Sequence, residues 1–225
     1  AMAGFRPLSQ TRSLFAALDC EELAHYEGML DPDSAAEGDS LRALFTTWIT
    51  IPSAKRKELI SAVVAAGERL RESQAGEPWM STVMGTVSKI NEQYPGDIGV
   101  LGALLLNHIV LQPGEAIYLD AGQLHAYVSG LGVEIMANSD NVLRGGLTPK
   151  FVDVPELVKV LTYQAAEDPR VEQVAHADAA EKEATGSITG ATAWAYPVPI
   201  GEFLLDRVEL SGADSAEVDN CLLYT

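Results

Sequence analysis

The stretch Gly114-Glu115-Ala116-Ile117-Tyr118-Leu119-Asp120-Ala121-Gly122-Gln123-Leu124-His125-Ala126-Tyr127-Val128-Ser129 decides the fold. Gly114 and Gly122 stand where tight turns are needed, and glycine enters such turns at no steric cost. Between and after them run Ala116–Leu119 and Leu124–Val128, short apolar segments with the period of a strand. Alternate residues of a strand share a face, so His125 and Tyr127 point to the same side and would together line a pocket. An imidazole projecting into a barrel can bind a metal ion. A buried, hydrogen-bonded histidine would give the same pattern without one.

Reading outward, the apolar runs Leu104–Leu111 and Val133–Met136 complete a set of closely spaced strands. The turns Gln112-Pro113-Gly114, Asp120-Ala121-Gly122 and Ser129-Gly130-Leu131-Gly132 separate them, which predicts an antiparallel barrel or jelly roll. Before Pro95 the period is that of a helix. Leu41, Leu44, Phe45, Trp48 and Ile49 form one apolar stripe behind a capping-type Ser40, and Leu59, Ile60, Val63, Val64 and Leu70 form a second after Pro52-Ser53. Trp79, Met80, Val83, Met84, Val87 and Ile90 form a third, opened by Pro78, and Leu14, Phe15 and Leu18 a weaker one. Gly28–Asp39 and Gln74–Glu77 read as loops. His25, alone among acids near a helix end, reads as a solvated histidine.

Downstream, Val154–Leu161 predicts a further helix, Gln164–Thr185 an acidic, Ala-rich connector, and Ala191–Leu210 and Val218–Tyr224 a return to strands. The expected class is therefore α+β: a β-sandwich or jelly roll with an N-terminal helical bundle segment. The expected divisions are a helical domain over 1–94, a strand-rich domain over 95–163, and a connector with the start of a C-terminal β domain over 164–225.

The chain of 225 residues carries 15 Lys and Arg against 32 Asp and Glu, a net charge of −17, with 47% hydrophobic residues. That much apolar material can build a sizeable core. No basic stripe is present to displace counterions from a phosphate backbone, which argues against a nucleic-acid partner. No run approaches the length of a membrane span, and the N-terminus lacks the order of a signal peptide, so no membrane partner is expected. Cys20 and Cys221 share no metal or redox spacing, and a reducing cytoplasm is the default location.

The stretch 114–129 resembles the second cupin motif, with Asp120 in place of its proline and Ser129 in place of its asparagine; the resemblance implies a cupin-type β-sandwich or jelly roll, with residues 95–163 the second half of a catalytic cupin domain. The residues that follow are similar to the signature of the type I mannose-6-phosphate isomerases, zinc-dependent cupins: His125-Ala126-Tyr127, then Glu134-Ile135-Met136-Ala137-Asn138-Ser139-Asp140-Asn141, then Arg144-Gly145-Gly146-Leu147-Thr148-Pro149-Lys150. Gly145 stands where that signature has alanine, and a loop should tolerate either small residue. The likeness extends to Tyr94-Pro95-Gly96-Asp97 and Asn107, and more loosely to Gly4–Pro7 and the helical segment.

The resemblance implies interconversion of mannose 6-phosphate and fructose 6-phosphate through an enediolate, assisted by one zinc ion. It makes His125 a zinc ligand, Arg144 the catalytic arginine, and Tyr127, Glu134 and Lys150 substrate-pocket residues. A phosphorylated hexose is the implied partner, and the intact protein is allowed to be a monomer. Physical sense supports part of this. Asn141–Val152 carries Arg144 and Lys150 and no acid in a strongly acidic protein, and a guanidinium fork suits phosphate or an enediolate oxygen. Two ordinary surface cations on a solvated turn would read the same. Glu134, in an apolar run, is either an edge residue facing water or a carboxylate held in the pocket. Asp140 and Asn141 would brace the loop, while His108 and His176 read as structural.

In the family, the metal also takes a Gln-x-His pair and a glutamate from an earlier cupin segment. The only Gln-x-His in this chain, Gln123-Leu124-His125, lies inside the second motif itself and not in an earlier segment, and of the four histidines only His125 stands in a suitable motif. The abrupt start at Ala1-Met2-Ala3-Gly4 and end at Leu223-Tyr224-Thr225 lead to the expectation that the sequence is a piece of a longer enzyme. The alternatives are a non-catalytic cupin binding sugar phosphate or a protein partner, and a different metal-dependent cupin such as an oxygenase, which would want two further histidines.

Overall fold

The computed structural model describes residues 1–31, 37–139, 141–166, 168–175, 188–189, 192–210 and 217–218. Its elements are β1 (Met2–Phe5), α1 (Leu8–Leu18), α2 (Glu21–Glu27), α3 (Glu37–Thr50), α4 (Ser53–Ser73), α5 (Pro78–Gln93), α6 (Ile98–Gly102), β2 (Leu106–His108), β3 (Ala116–Ile117) and β4 (His125–Ala126). They continue with α7 (Val154–Val160), β5 (Arg170–Val171), β6 (Val174–Ala175), β7 (Ile188–Thr189), β8 (Thr192–Tyr196), β9 (Leu205–Glu209) and β10 (Glu217–Val218). Two units divide the chain: Ala1–Val110 with Leu119–Gly130 and Asn141–Asp168, and Leu111–Tyr118 with Leu131–Asp140 and Pro169–Thr225.

One apolar core holds the first unit. The stripes read from helical spacing supply it: Leu41, Leu44, Phe45, Trp48 and Ile49 from α3, Leu59, Ile60, Val63 and Leu70 from α4, and Met80, Val83, Met84, Val87 and Ile90 from α5 are all buried. Gly67 lets α4 and α5 close up, since a Cβ there would overlap Met84. Helix α3 begins before Ser40, which lies in its first turn rather than capping it. Val64 and Trp79 are only partly buried. Trp79 presents its ring to the Arg6 guanidinium, 4.8 Å from the centroid.

The unit's sheet has the order β2-β1-β4, both pairings antiparallel, with Met2 opposite His108 and Ala126, and Ala3 opposite His125. As the central strand, β1 is buried along its whole length. Gly4 takes φ +64°, and a Cβ there would stand 2.5 Å from the Ala166 Cβ. Arg6, itself buried, donates from its guanidinium to the carbonyls of Leu104 (3.2 Å) and Leu106 (2.6 Å), tying the chain beyond β1 to the approach of β2. Burial lowers its pKa to about 10.

The second unit carries small antiparallel sheets: β3 with β5, β7 with β10, and β6-β8-β9. In the last of these the register runs from Thr192 opposite Glu209 to Tyr196 opposite Leu205. The Arg207 guanidinium covers the Trp194 ring at 4.8 Å and pairs with Glu209. The Tyr196 hydroxyl donates to the Gly114 carbonyl.

The class is α+β, as expected, but the described residues do not close a barrel. Val133–Met136 is no strand, and residues 131–139 are exposed throughout. An extended segment becomes a strand when another takes up its N–H and C=O groups, and among the described residues none pairs with this one. Strands β3 and β4 are two residues each, shorter than their apolar runs. Helix α7 falls where its pattern placed it, capped by Asp153, whose Oδ1 accepts from the Glu156 N–H at 3.1 Å. The presumed connector holds β5 and β6, and its residues 167 and 176–185, which include His176, lie outside the described residues. So do Asp140, Cys221 and the rest of the terminal apolar run. Among the described residues no helix is long and apolar enough to cross a membrane.

Candidate functional site

His125 opens β4, and its backbone is fixed by pairing with Ala3 of the buried β1. Its ring stands against that of Tyr127 with centroids 5.9 Å apart and planes at 62°, the shared face that alternation predicts. The imidazole is exposed rather than buried in the core, and Nδ1 lies 3.0 Å from the Gln123 carbonyl. A carbonyl can only accept, so Nδ1 is the donor in this contact, which in the neutral ring leaves the Nε2 lone pair free. Metal-binding histidines use this tautomer, with the other nitrogen held by a carbonyl or carboxylate.

A zinc ion needs about four such donors. Among the described residues, however, no three His, Cys, Asp or Glu side chains come together in a way that could hold a metal ion. The described residues therefore do not complete the site that the resemblance implies, to which it assigns His125.

The 141–150 segment packs beside that strand. Leu143 and Leu147 are partly buried against the core of the first unit, while Arg144 and Lys150 stay exposed. Gly145 lies over Leu124, the neighbour of His125: a Cβ at Gly145 would stand 2.5 Å from Leu124 Cδ1. Alanine at this position thus requires Leu124 to turn aside, which a leucine methyl can do. The next two residues rest on Asp97. Its Oδ1 accepts from the Leu147 N–H at 2.8 Å and from the Gly99 N–H at 2.7 Å. The fold thus brings the Arg144 segment alongside the His125 strand, with Tyr127, Arg144 and Lys150 all open to water.

Glu134 belongs to the second unit and is exposed. His108 bonds through Nε2 to the Ala103 carbonyl at 3.0 Å, a structural role. His25 is exposed in the last turn of α2, its ring edge-on to Tyr26. A hollow of about 410 Å³ on the exposed face of α3, lined by Asp39, Arg42, Ala43, Thr46, Thr47 and Thr50, holds none of the expected site residues.

Sequence reading missed Asp97 as part of this arrangement. An aspartate just before Ile98-Gly99-Val100 signals a helix cap, and that signal was available. Nothing local points from it to Leu147, 50 residues on.

Residues 15–106 match the family described as the helical insertion domain of type I phosphomannose isomerase. The mannose-6-phosphate isomerase of Escherichia coli K12 is 33% identical over 215 residues, covering 96% of this chain and 49% of that enzyme. The Cryptococcus neoformans enzyme is 37% identical over 180 residues, 80% of this chain and 39% of its own. The crystal structure of the Salmonella typhimurium enzyme bound to its substrate fructose 6-phosphate and to zinc superposes with a TM-score of 0.66 at 32% identity, covering 91% of this chain and 46% of that one. The chain is a homologue of the type I phosphomannose isomerases and spans about half the length of the curated relatives it matches.

Proposed function

We propose that these residues form the arginine-bearing half of a cytoplasmic mannose-6-phosphate isomerase, in which residues 95–163 are the second half of the catalytic cupin domain. The observation that carries the reading is the docking of the Arg144 loop against Leu124, next to His125. Isomerisation moves a proton between C2 and C1 of the open-chain sugar and builds negative charge on an enediolate oxygen. The Arg144 guanidinium is the group for that oxygen, because a fixed cation aimed at developing charge lowers the barrier most. Lys150 and Tyr127 suit the phosphate and hydroxyl groups of the hexose. A zinc ion would take His125 as one ligand and the others from protein beyond the described residues.

The test is a coupled isomerase assay with metal analysis on the intact protein that carries this chain. Arg144→Ala should lower turnover by about two to three orders of magnitude, the cost of removing a donor to developing charge, with zinc content unchanged. Full activity in that variant would reject the assigned role. A second reading, a module that binds sugar phosphate without turnover, draws on the lone imidazole. Fructose 6-phosphate binding with no detectable turnover in the intact protein would favour it.

A further inference from the structure

We infer that Asp97 is the positioning residue of the Arg144 loop, its carboxylate setting where the guanidinium stands beside the His125 strand. One of the two N–H groups it accepts, from Gly99, is an ordinary helix cap. The other, from Leu147, comes from the loop. Leu147 takes φ +54°, a left-handed conformation that strains a residue with a side chain, so its hydrogen bond has strain to offset. Gly146 takes φ +135°, and a Cβ there would lie 2.8 Å from both Asp97 Oδ1 and the Gly99 nitrogen. The loop backbone thus lies on the carboxylate at a separation only glycine allows.

The Leu147 side chain covers Gly99 in turn, where a Cβ would stand 2.5 Å from its Cγ. Arg144 is followed by two glycines, the most pliable dipeptide available. Leu124 holds the first and Asp97 the second, so the arginine is presented from a fixed base. Pre-ordering of this kind reduces what a bound ligand must spend in ordering the loop. The inference rests on the isomerase reading only for the identity of that ligand.

Trypsin cleavage after Arg144, followed by mass spectrometry against cleavage after the exposed Arg71 of α4, tests the loop in this chain, with thermal melting and a fructose 6-phosphate titration alongside. Asp97→Ala should speed cleavage at Arg144 relative to Arg71 by about tenfold or more, as expected when charge-assisted hydrogen bonds are lost, and weaken sugar-phosphate binding by a similar factor. Asp97→Asn, which keeps a neutral acceptor, should restore most of both. Equal acceleration at both sites, or none at Arg144, overturns the positioning role. Should the alanine variant fail to fold, Gly146→Ala drives a methyl into the same carboxylate and should give the same local acceleration. Cleavage that shifts as expected in a chain that never binds fructose 6-phosphate upholds the role of Asp97 and rejects the ligand.

Discussion

His108 and His125 each set one ring nitrogen 3.0 Å from a backbone carbonyl, yet only His125 is open to water. Burial, followed by the nearby Arg6 guanidinium, pushes the His108 pKa down to about 4 despite its bond to the Ala103 carbonyl. The folded state therefore binds a proton less readily than the unfolded chain, whose histidine titrates near 6.5. The associated stability is fully present above about pH 6.5 and is lost as pH falls toward 4, a swing of about 3 kcal/mol. In urea denaturation, wild type should lose stability more steeply over that window than His108→Gln, and parallel curves would refute the account. At this scale the sequence was informative about side chains that share a local period, such as His125 with Tyr127. It was silent about Asp97, whose partner is distant in the chain.

At the level of elements, the helices were readable because α3, α4 and α5 each bury a continuous stripe, so composition and period agree. Strand β1 was not readable: being central, Met2–Phe5 is buried on both faces and shows no alternation. Val133–Met136 misled for the converse reason, since it alternates well enough but joins no sheet among the described residues. Gly4 tests the importance of β1. Gly4→Ala imposes φ +64° on a residue with a Cβ and drives that carbon against Ala166. Destabilisation of about 1–3 kcal/mol should follow, read as a lower melting midpoint. An unchanged midpoint would mean that the strand does not organise the sheet carrying His125.

For the molecule as a whole, the first unit brings together a helical core, the sheet bearing His125 and the loop bearing Arg144. A zinc site was expected around His125, and among the described residues no cluster of ligands forms there; metal ligands converge from separate segments, so a single sequence motif can point to only one of them. Leu131 is fully exposed and Val133 84% exposed, with Ile135 and Met136 beside them in a stretch paired to no strand among the described residues. An apolar strip in a chain of net charge −17 sets attraction against repulsion. The screening length falls from about 10 Å at 0.1 M salt to about 3 Å at 1 M, and with it the force that keeps copies of the chain apart. Light scattering should climb with sodium chloride and stay low in a Leu131→Ser, Val133→Ser variant, whereas scattering indifferent to salt would refute this. Ionic strength, more than protein concentration, would then govern how the isolated chain behaves in a tube.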